Sequence, residues 1–260
     1  MPTNEHRPTT RVLDILELLA EMQSGMSLTE IAEAISAPKS SILPLMHTLA
    51  SRKFIFYDKD TQKYTIGVAA FSVGSSYIQQ MSSMQFIQSE MQHLTASCNE
   101  TCQLGIRDDE SVLYLAKVDS PEPLRLISYV GKRLPLYCTA LGKSLLCDST
   151  LDELTQLYPN GLKAYTPNTI TDIQVLYDQL QQIKQGKIAQ ECEEVNLNLK
   201  CISTPLRKNS KIVAALSVSI PVFRSTAEKE EQIIKLLHEK RQIIETYFLN
   251  YNIDPDTLSL

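Results

Sequence analysis

The sequence predicts an α+β protein, with an N-terminal winged helix-turn-helix and a C-terminal domain built on an antiparallel sheet. Three observations carry that prediction. Apolar residues recur at helical spacing three times within the first fifty residues. Two short β-prone stretches around a charged tip follow at once. Beyond residue 84, strand-like alternation is interrupted by capped helices.

Val12, Ile15, Leu16, Leu18 and Leu19 lay one apolar stripe along a helix that starts near Thr9, and Ser24 with Gly25 is expected to end it. Ser27 and Glu30 then form the S-x-x-E capping box, in which each side chain satisfies a backbone N–H at a helix start. Leu28, Ile31, Ala32 and Ile35 make the buried face of this second helix, and Ser36, Ala37 and Pro38 stop it. A third helix is predicted from Lys39 or Ser40, with Ile42, Leu45, Met46 and Leu49 inward and Ser40, Ser41 and His47 outward. Pro44 falls inside it and cannot donate to the carbonyl of Ser40; a start at Ser41 would move Pro44 into the first turn, where no bond is lost. Residues 54–57 and 64–66 read as strands around the polar turn 58–63. Helix, helix, turn, helix and two-stranded wing is the order of a winged helix-turn-helix.

The segment 68–81 is helical in pattern and rich in small residues, and it joins the two domains. A helix from Met84 to about residue 98 leads into strands at 101–106 and 112–118, joined by the turn Asp108, Asp109, Glu110. A third strand is predicted at 124–130, ending at Gly131. Helices at 140–147, 151–158 and 172–185 follow, the last two capped by Thr150 and Thr171 and the last closed by Gly186. Strands return at 187–191, 199–207 and 212–220, and an amphipathic helix over 226–249 closes the chain. The domains are therefore 1–67 for the winged helix, 68–83 for a linking helix and 84–260 for the α+β domain.

A formal charge of −5 over 260 residues excludes a protein that coats nucleic acid by bulk attraction. The local balance is different. Residues 12–34 carry five acids and no base, whereas 35–66 carry Lys39, Arg52, Lys53, Lys59 and Lys63 against Asp58 and Asp60, a surplus of +3 on the third helix and wing. That arrangement offers phosphate-contacting bases on one side and keeps acids on the other. Lys39, Ser40, Ser41 and His47 on the helix, and Arg52, Lys53, Lys59 and Lys63 around its end and the wing, are the candidate DNA contacts.

No apolar run reaches the roughly 18 residues of a membrane span, and residues 1–11 lack the apolar core of a signal, so a cytoplasmic protein without a membrane partner is expected. The six cysteines are scattered with no CxxC, which predicts reduced, mostly buried thiols and no metal site. Walker A and GxGxxG patterns are absent, and no cofactor is predicted. An enzyme would need Cys201 or Cys138 as nucleophile with Glu191 as base, yet His6, His47, His93 and His238 all fall outside the blocks that carry those residues. A sensor module without DNA binding is the other alternative, which Pro44 and the weak domain charge keep open.

Several blocks carry a resemblance: Gly131-Lys132-Arg133-Leu134-Pro135-Leu136, Thr139-Ala140-Leu141-Gly142-Lys143-Ser144, Glu193-Glu194, Cys201-Ile202-Ser203-Thr204-Pro205-Leu206 and Ala214-Ala215-Leu216-Ser217-Val218-Ser219. Together with the winged helix they resemble the IclR family of bacterial transcriptional regulators, almost end to end. The resemblance implies a homodimer or homotetramer whose GAF-like C-terminal domain binds a small carboxylate effector and modulates how paired winged helices meet operator DNA. It places Glu191, Cys201, Ser217 and Ser219 at the effector. Asn198 stands where the family usually has glycine, and Asn is the next residue to tolerate φ > 0.

Physical chemistry adds detail to that site. The first N–H groups of the helix after Thr139, on Ala140, Leu141 and Gly142, have no intrahelical acceptor and attract a carboxylate. Ser217 and Ser219 are two apart on a strand and face one side; by the same rule Leu126 and Ser128 form another wall. A carboxylate at Glu191 beside an anionic effector costs free energy unless it is protonated or bonds a hydroxyl, so a keto or hydroxy acid is expected, with Glu191 reading the hydroxyl.

Overall fold

The apolar stripes of the first three helices converge on one small core. The computed structural model describes residues 6–22, 24–79 and 82–250, which separate into two units, one ending at residue 81 and one beginning at residue 82. In the first unit α1 (Arg7–Glu21), α2 (Leu28–Ala34) and α3 (Lys39–Ser51) bury Ile15, Leu19, Ile31, Ile42 and Met46 against one another. The α2 capping box is formed as predicted: Glu30 N–H donates to Ser27 Oγ at 3.3 Å, and Ser27 N–H to Glu30 Oε2 at 2.7 Å. Strands β1 (Ile55–Asp58) and β2 (Lys63–Ile66) pair antiparallel as the wing, and Met26 bridges Tyr64 on its free side. Helix α4 (Val68–Gln79) follows, tied back by a bond from Ala69 N–H to the Lys53 carbonyl at 2.9 Å. Residues 80 and 81 of the helix predicted over 68–81 lie outside the described residues.

One expectation here is corrected: helix α1 stops at Glu21, before Ser24 and Gly25. Helix α3 starts at Lys39, one of the two predicted starts, and not at the later Ser41 that would have relieved Pro44, because Ser41 and Ile42 both donate to the Pro38 carbonyl, at 2.9 and 3.3 Å. Pro44 therefore sits in the second turn, and the Ser40 carbonyl loses its helical donor. Ser40 and Pro44 are both exposed, so water replaces the missing donor.

The second unit runs α5 (Ser82–Cys98), β3 (Thr101–Asp108), β4 (Ser111–Val118), β5 (Arg133–Pro135), α6 (Ala140–Leu146), α7 (Leu151–Leu157), α8 (Ile173–Lys184), β6 (Ala189–Cys192), β7 (Leu199–Lys208), β8 (Lys211–Pro221) and α9 (Ala227–Asn250). The six strands form one antiparallel sheet in the order β5-β4-β3-β8-β7-β6. Helices α5 and α9 cover one face, and α6 with α7 and α8 packs on the other. The final helix and the central hairpins lie where the sequence pattern puts them.

The strand predicted at 124–130 does not form. The outer edge of β4 is taken instead by Arg133–Pro135 and by the backbone of Gly131 and Lys132, which exchange bonds with Tyr114 at 2.8 and 3.0 Å. Residues 124–130 thus have no ladder to join, and Leu126 and Ser128 are not two positions on a strand face. The cap of α8 is Asp172, not Thr171: its carboxylate accepts from Gln174 N–H at 2.7 Å and Val175 N–H at 3.3 Å, a charged acceptor that a hydroxyl does not match. Thr150 caps α7 as predicted. Among the described residues no helix is long and apolar enough to cross a membrane, and no cluster of His, Cys, Asp and Glu has the makings of a metal site.

Candidate functional site

The predicted DNA contacts all lie in the first unit. Lys39, Ser40 and His47 are exposed on α3, Arg52 and Lys53 follow at its C-terminal end, and Lys59 and Lys63 sit in the wing, with Lys63 half-buried and paired across from Asp58. Ser41 is different: it is half-buried and donates its hydroxyl back to the Pro38 carbonyl at 2.7 Å, so its side chain is tied to the start of the helix rather than facing outward freely. Asp58 folds its carboxylate over the wing turn, accepting from Asp60 N–H at 2.8 Å, and that bond holds its carboxyl below the usual range. The sequence reading missed Leu43, which is exposed beside Pro44 between Ser40 and His47; an apolar residue at i+3 from Ser40 was the available signal.

In the second unit, α6 lies across the sheet and closes one end of a cavity. Tyr114, Leu126, Lys132, Leu134, Thr139, Ala140, Leu141, Glu191, Val195, Asn196, Leu199, Cys201 and Ser217 line it. The structure therefore brings together six of the eight predicted effector residues; Ser219 lies one hydrogen bond behind Cys201, and Ser128 does not reach the lining. The void is about 20 Å³, room for a single water molecule. The N–H of Gly142 is not free as expected, since Thr139 Oγ1 accepts it at 3.1 Å; Ala140 and Leu141 remain as the first two N–H groups of α6. Asn198 does adopt the left-handed conformation, φ 63°, and its N–H donates to Glu193 Oε1 at 2.7 Å in the turn that ends beside the cavity.

A buried polar network runs through the site. Glu191, paired with Cys201 across β6 and β7, is almost fully buried, and its Oε2 accepts from Glu194 N–H at 3.0 Å. Burial pushes the Glu191 carboxyl up to about 7, outweighing the pull of Cys201 and the Glu194 N–H. Cys201 Sγ lies 3.2 Å from Ser219 Oγ, and both Ser217 Oγ and Ser219 Oγ lie 3.1 Å from the carboxamide of Gln103. Burial raises the Cys201 thiol well above its ordinary range and pushes Cys138 up to about 12, so neither is a thiolate nucleophile at neutral pH.

Four residues of this network escaped the sequence reading. Tyr114 and Lys132 line the cavity, the latter half-buried with its ammonium pKa lowered by desolvation. Lys143, fully buried, forms an ion pair with Glu194 and donates to Gln179 Oε1 at 3.0 Å and the Gln190 carbonyl at 3.3 Å. Gln103 is the fourth. Ser128, off the lining, is buried and accepts at its carbonyl from Lys117 Nζ at 2.5 Å.

Comparison with known proteins agrees with this architecture. The IclR helix-turn-helix domain profile matches residues 8–59, and the profile of the bacterial transcriptional regulator IclR C-terminal domain matches residues 75–246. The HTH-type transcriptional regulator KdgR of Escherichia coli (strain K12) is 29% identical over 230 residues, which span 88% of this chain and 87% of that protein. The crystal structure of an IclR transcriptional regulator from Alicyclobacillus acidocaldarius superposes with a TM-score of 0.85 at 23% identity, over 94% of this chain and 99% of that one. An IclR homolog from Microbacterium hydrocarbonoxydans, crystallised with 4-hydroxybenzoate, shares the fold at a TM-score of 0.80 and 20% identity, over 92% of this chain and 98% of that one. With one profile in the first unit and the other covering most of the second, the chain belongs to the IclR family of bacterial transcriptional regulators, which bind DNA through a helix-turn-helix and carry a C-terminal effector domain.

Proposed function

We propose that this regulator responds to a small keto or hydroxy carboxylic acid, bound in the cavity beneath α6, and that this binding alters how a homodimer or homotetramer engages operator DNA. The assignment takes 1–67 as the DNA-binding domain, 68–83 as the linking helix and 84–260 as the effector domain, in a cytoplasmic protein without catalytic activity. One observation carries the effector reading: a single void is lined by the half-buried Lys132, the first N–H groups of α6 and the protonatable Glu191. An ammonium and two free N–H groups favour an anion, and a carboxyl raised to about 7 is half protonated at neutral pH, so it repels the anion far less than an ordinary carboxylate would. The carboxylate in the Microbacterium homolog is of the same class. Since the void has room for no more than one water, effector entry requires its walls to move apart.

Thermal-shift screening of the full chain against pyruvate, lactate, glyoxylate and 4-hydroxybenzoate tests the reading, because a bound acid raises stability as RT ln(1 + [L]/Kd). No shift with any acid at millimolar concentration would sink it. Where one binds, protonated Glu191 makes affinity pH-dependent. A carboxyl with a folded value of about 7 is mostly neutral at pH 6 and mostly ionised at pH 8, so affinity is expected to fall about tenfold across that interval if only the neutral form accepts an anion. Glu191→Gln should flatten the profile, which isothermal titration at three pH values reads directly.

On the DNA side, Lys39→Ala is expected to weaken binding to all sequences alike and reduce the slope of log K against log salt by about one unit. A fluorescence-anisotropy series from low to high salt checks this; an unchanged slope would remove Lys39 from the phosphate contacts. Selecting genomic fragments with the purified protein separates this reading from a sensor that does not bind DNA, which would enrich no palindrome.

A further inference from the structure

Gln103 of β3 is paired in register with Ser217 of β8 and is completely buried. One end of its carboxamide lies 3.1 Å from Ser217 Oγ and 3.1 Å from Ser219 Oγ. The other end meets no protein group among the described residues. Oxygen and nitrogen occupy equivalent positions in a carboxamide, so the network decides between them. With oxygen at the serine end, both N–H groups are stranded in the interior. With nitrogen there, its two N–H groups meet two hydroxyl oxygens, and only a carbonyl is left over, the more tolerable orphan. The second arrangement is the better one, and it changes the serines: neither proton is needed by Gln103, so Ser219 is free to donate to Cys201 Sγ, 3.2 Å away, and Ser217 to donate into the cavity it lines.

We propose that Gln103 is a positioning residue for effector specificity: its amide nitrogen holds Ser217 as a hydrogen-bond donor, so that this wall of the cavity takes an acceptor oxygen and favours a keto acid over the corresponding hydroxy acid. This rests on the reading of the cavity as a carboxylate site. It also divides the labour within it. Glu191 accepts from the Glu194 N–H on one wall, and the serines donate from another. A keto oxygen satisfies a donating wall outright, whereas a hydroxyl there brings a second proton that must find its own acceptor.

The test is isothermal titration of the full chain with pyruvate and with L-lactate, which differ only at C2, a ketone in one and a secondary alcohol in the other. Wild type should bind pyruvate about tenfold more tightly than lactate. Gln103→Glu has the same shape but takes both serine protons when ionised, so pyruvate affinity should fall at least about tenfold while lactate changes by less than about threefold. A purely structural role for Gln103 would weaken both acids together and leave their ratio where it was; an unchanged ratio therefore overturns the proposal whatever the absolute loss. Gln103→Met, similar in volume and without the amide, is held to the same criterion if the glutamate variant does not fold. Equal affinities of wild type for the two acids defeat this inference alone. Binding of neither acid by wild type also defeats this inference, and the carboxylate reading falls with it only when glyoxylate and 4-hydroxybenzoate fail to bind as well.

Discussion

Gly142→Ala is expected to destabilise the second unit by at least about 3 kcal/mol, and more where the strain cannot relax. A Cβ built at this position would lie 2.0 Å from the Leu136 carbonyl oxygen, 2.3 Å from its Cα and 2.4 Å from its carbonyl carbon. All three are backbone atoms, so no side-chain rotation relieves the clash. Either α6 lifts off the segment before it or that segment moves, and both carry cavity-lining residues: Leu134 and Thr139 on one side, Ala140 and Leu141 on the other. The cap bond from Gly142 N–H to Thr139 Oγ1 would go with them. Gly131→Ala is the comparison. Its φ of +89° strains an alanine, but nothing lies within 4 Å of the added Cβ, so the cost should stay near the roughly 1 kcal/mol of an unfavourable backbone. Urea unfolding followed by circular dichroism measures both, and similar midpoints for the two variants would mean that the close approach at Leu136 relaxes easily.

How much of this was readable beforehand follows from the range of the interactions involved. Local ones were: the capping box of α2, the Thr150 cap of α7, the left-handed turn at Asn198 and the shared face of Ser217 and Ser219 depend on residues close in sequence. What failed depended on who was next door. Residues 124–130 have strand-like composition, but the neighbouring edge was already occupied. Gln103 reads as an ordinary polar residue in a strand until the sheet order sets β3 beside β8 and brings both serines to its carboxamide. The register shift at Leu104 and Gly105 adds to this: it leaves Lys117 opposite Gln103 and Tyr114 opposite Gly105, an offset that alternation alone does not predict. For Cys201 and Glu191 the motif resemblance grouped two residues that do line one cavity, while the burial that raises the Glu191 carboxyl belongs to the packed sheet.

Lys143→Met is expected to cost about 3–5 kcal/mol, because it leaves a buried carboxylate without its cation. The Lys143 side chain is 1% exposed and that of Glu194 8%. Glu194 Oε2 has no hydrogen-bond partner among the described residues, and the Ile170 N–H contributes less than Lys143 to holding the carboxylate, so the charge depends chiefly on the ammonium. Burial raises the Glu194 carboxyl and Lys143 pulls it back down. Without the lysine it should rise further, which fixes the sign of the pH dependence: the variant's deficit is largest at pH 8, where folding must bury a bare carboxylate, and shrinks toward pH 5 as Glu194 takes up a proton. Lys143→Met combined with Glu194→Met should recover most of the loss at pH 8, since an apolar pair of similar volume replaces an ion pair at little net cost. Denaturant unfolding at both pH values distinguishes the outcomes; a deficit independent of pH would mean that lost packing of the lysine stem, not the stranded charge, dominates. The effect should also reach the cavity proposed to hold the effector. Glu194 N–H donates to Glu191 Oε2 at 3.0 Å, and the Glu194 carbonyl accepts from Thr169 Oγ1 at 2.6 Å, so the ion pair anchors the turn that brings Val195 and Asn196 onto the cavity wall. The single variant should therefore lose effector affinity under conditions where it is still folded, and the double variant should regain stability more completely than it regains binding.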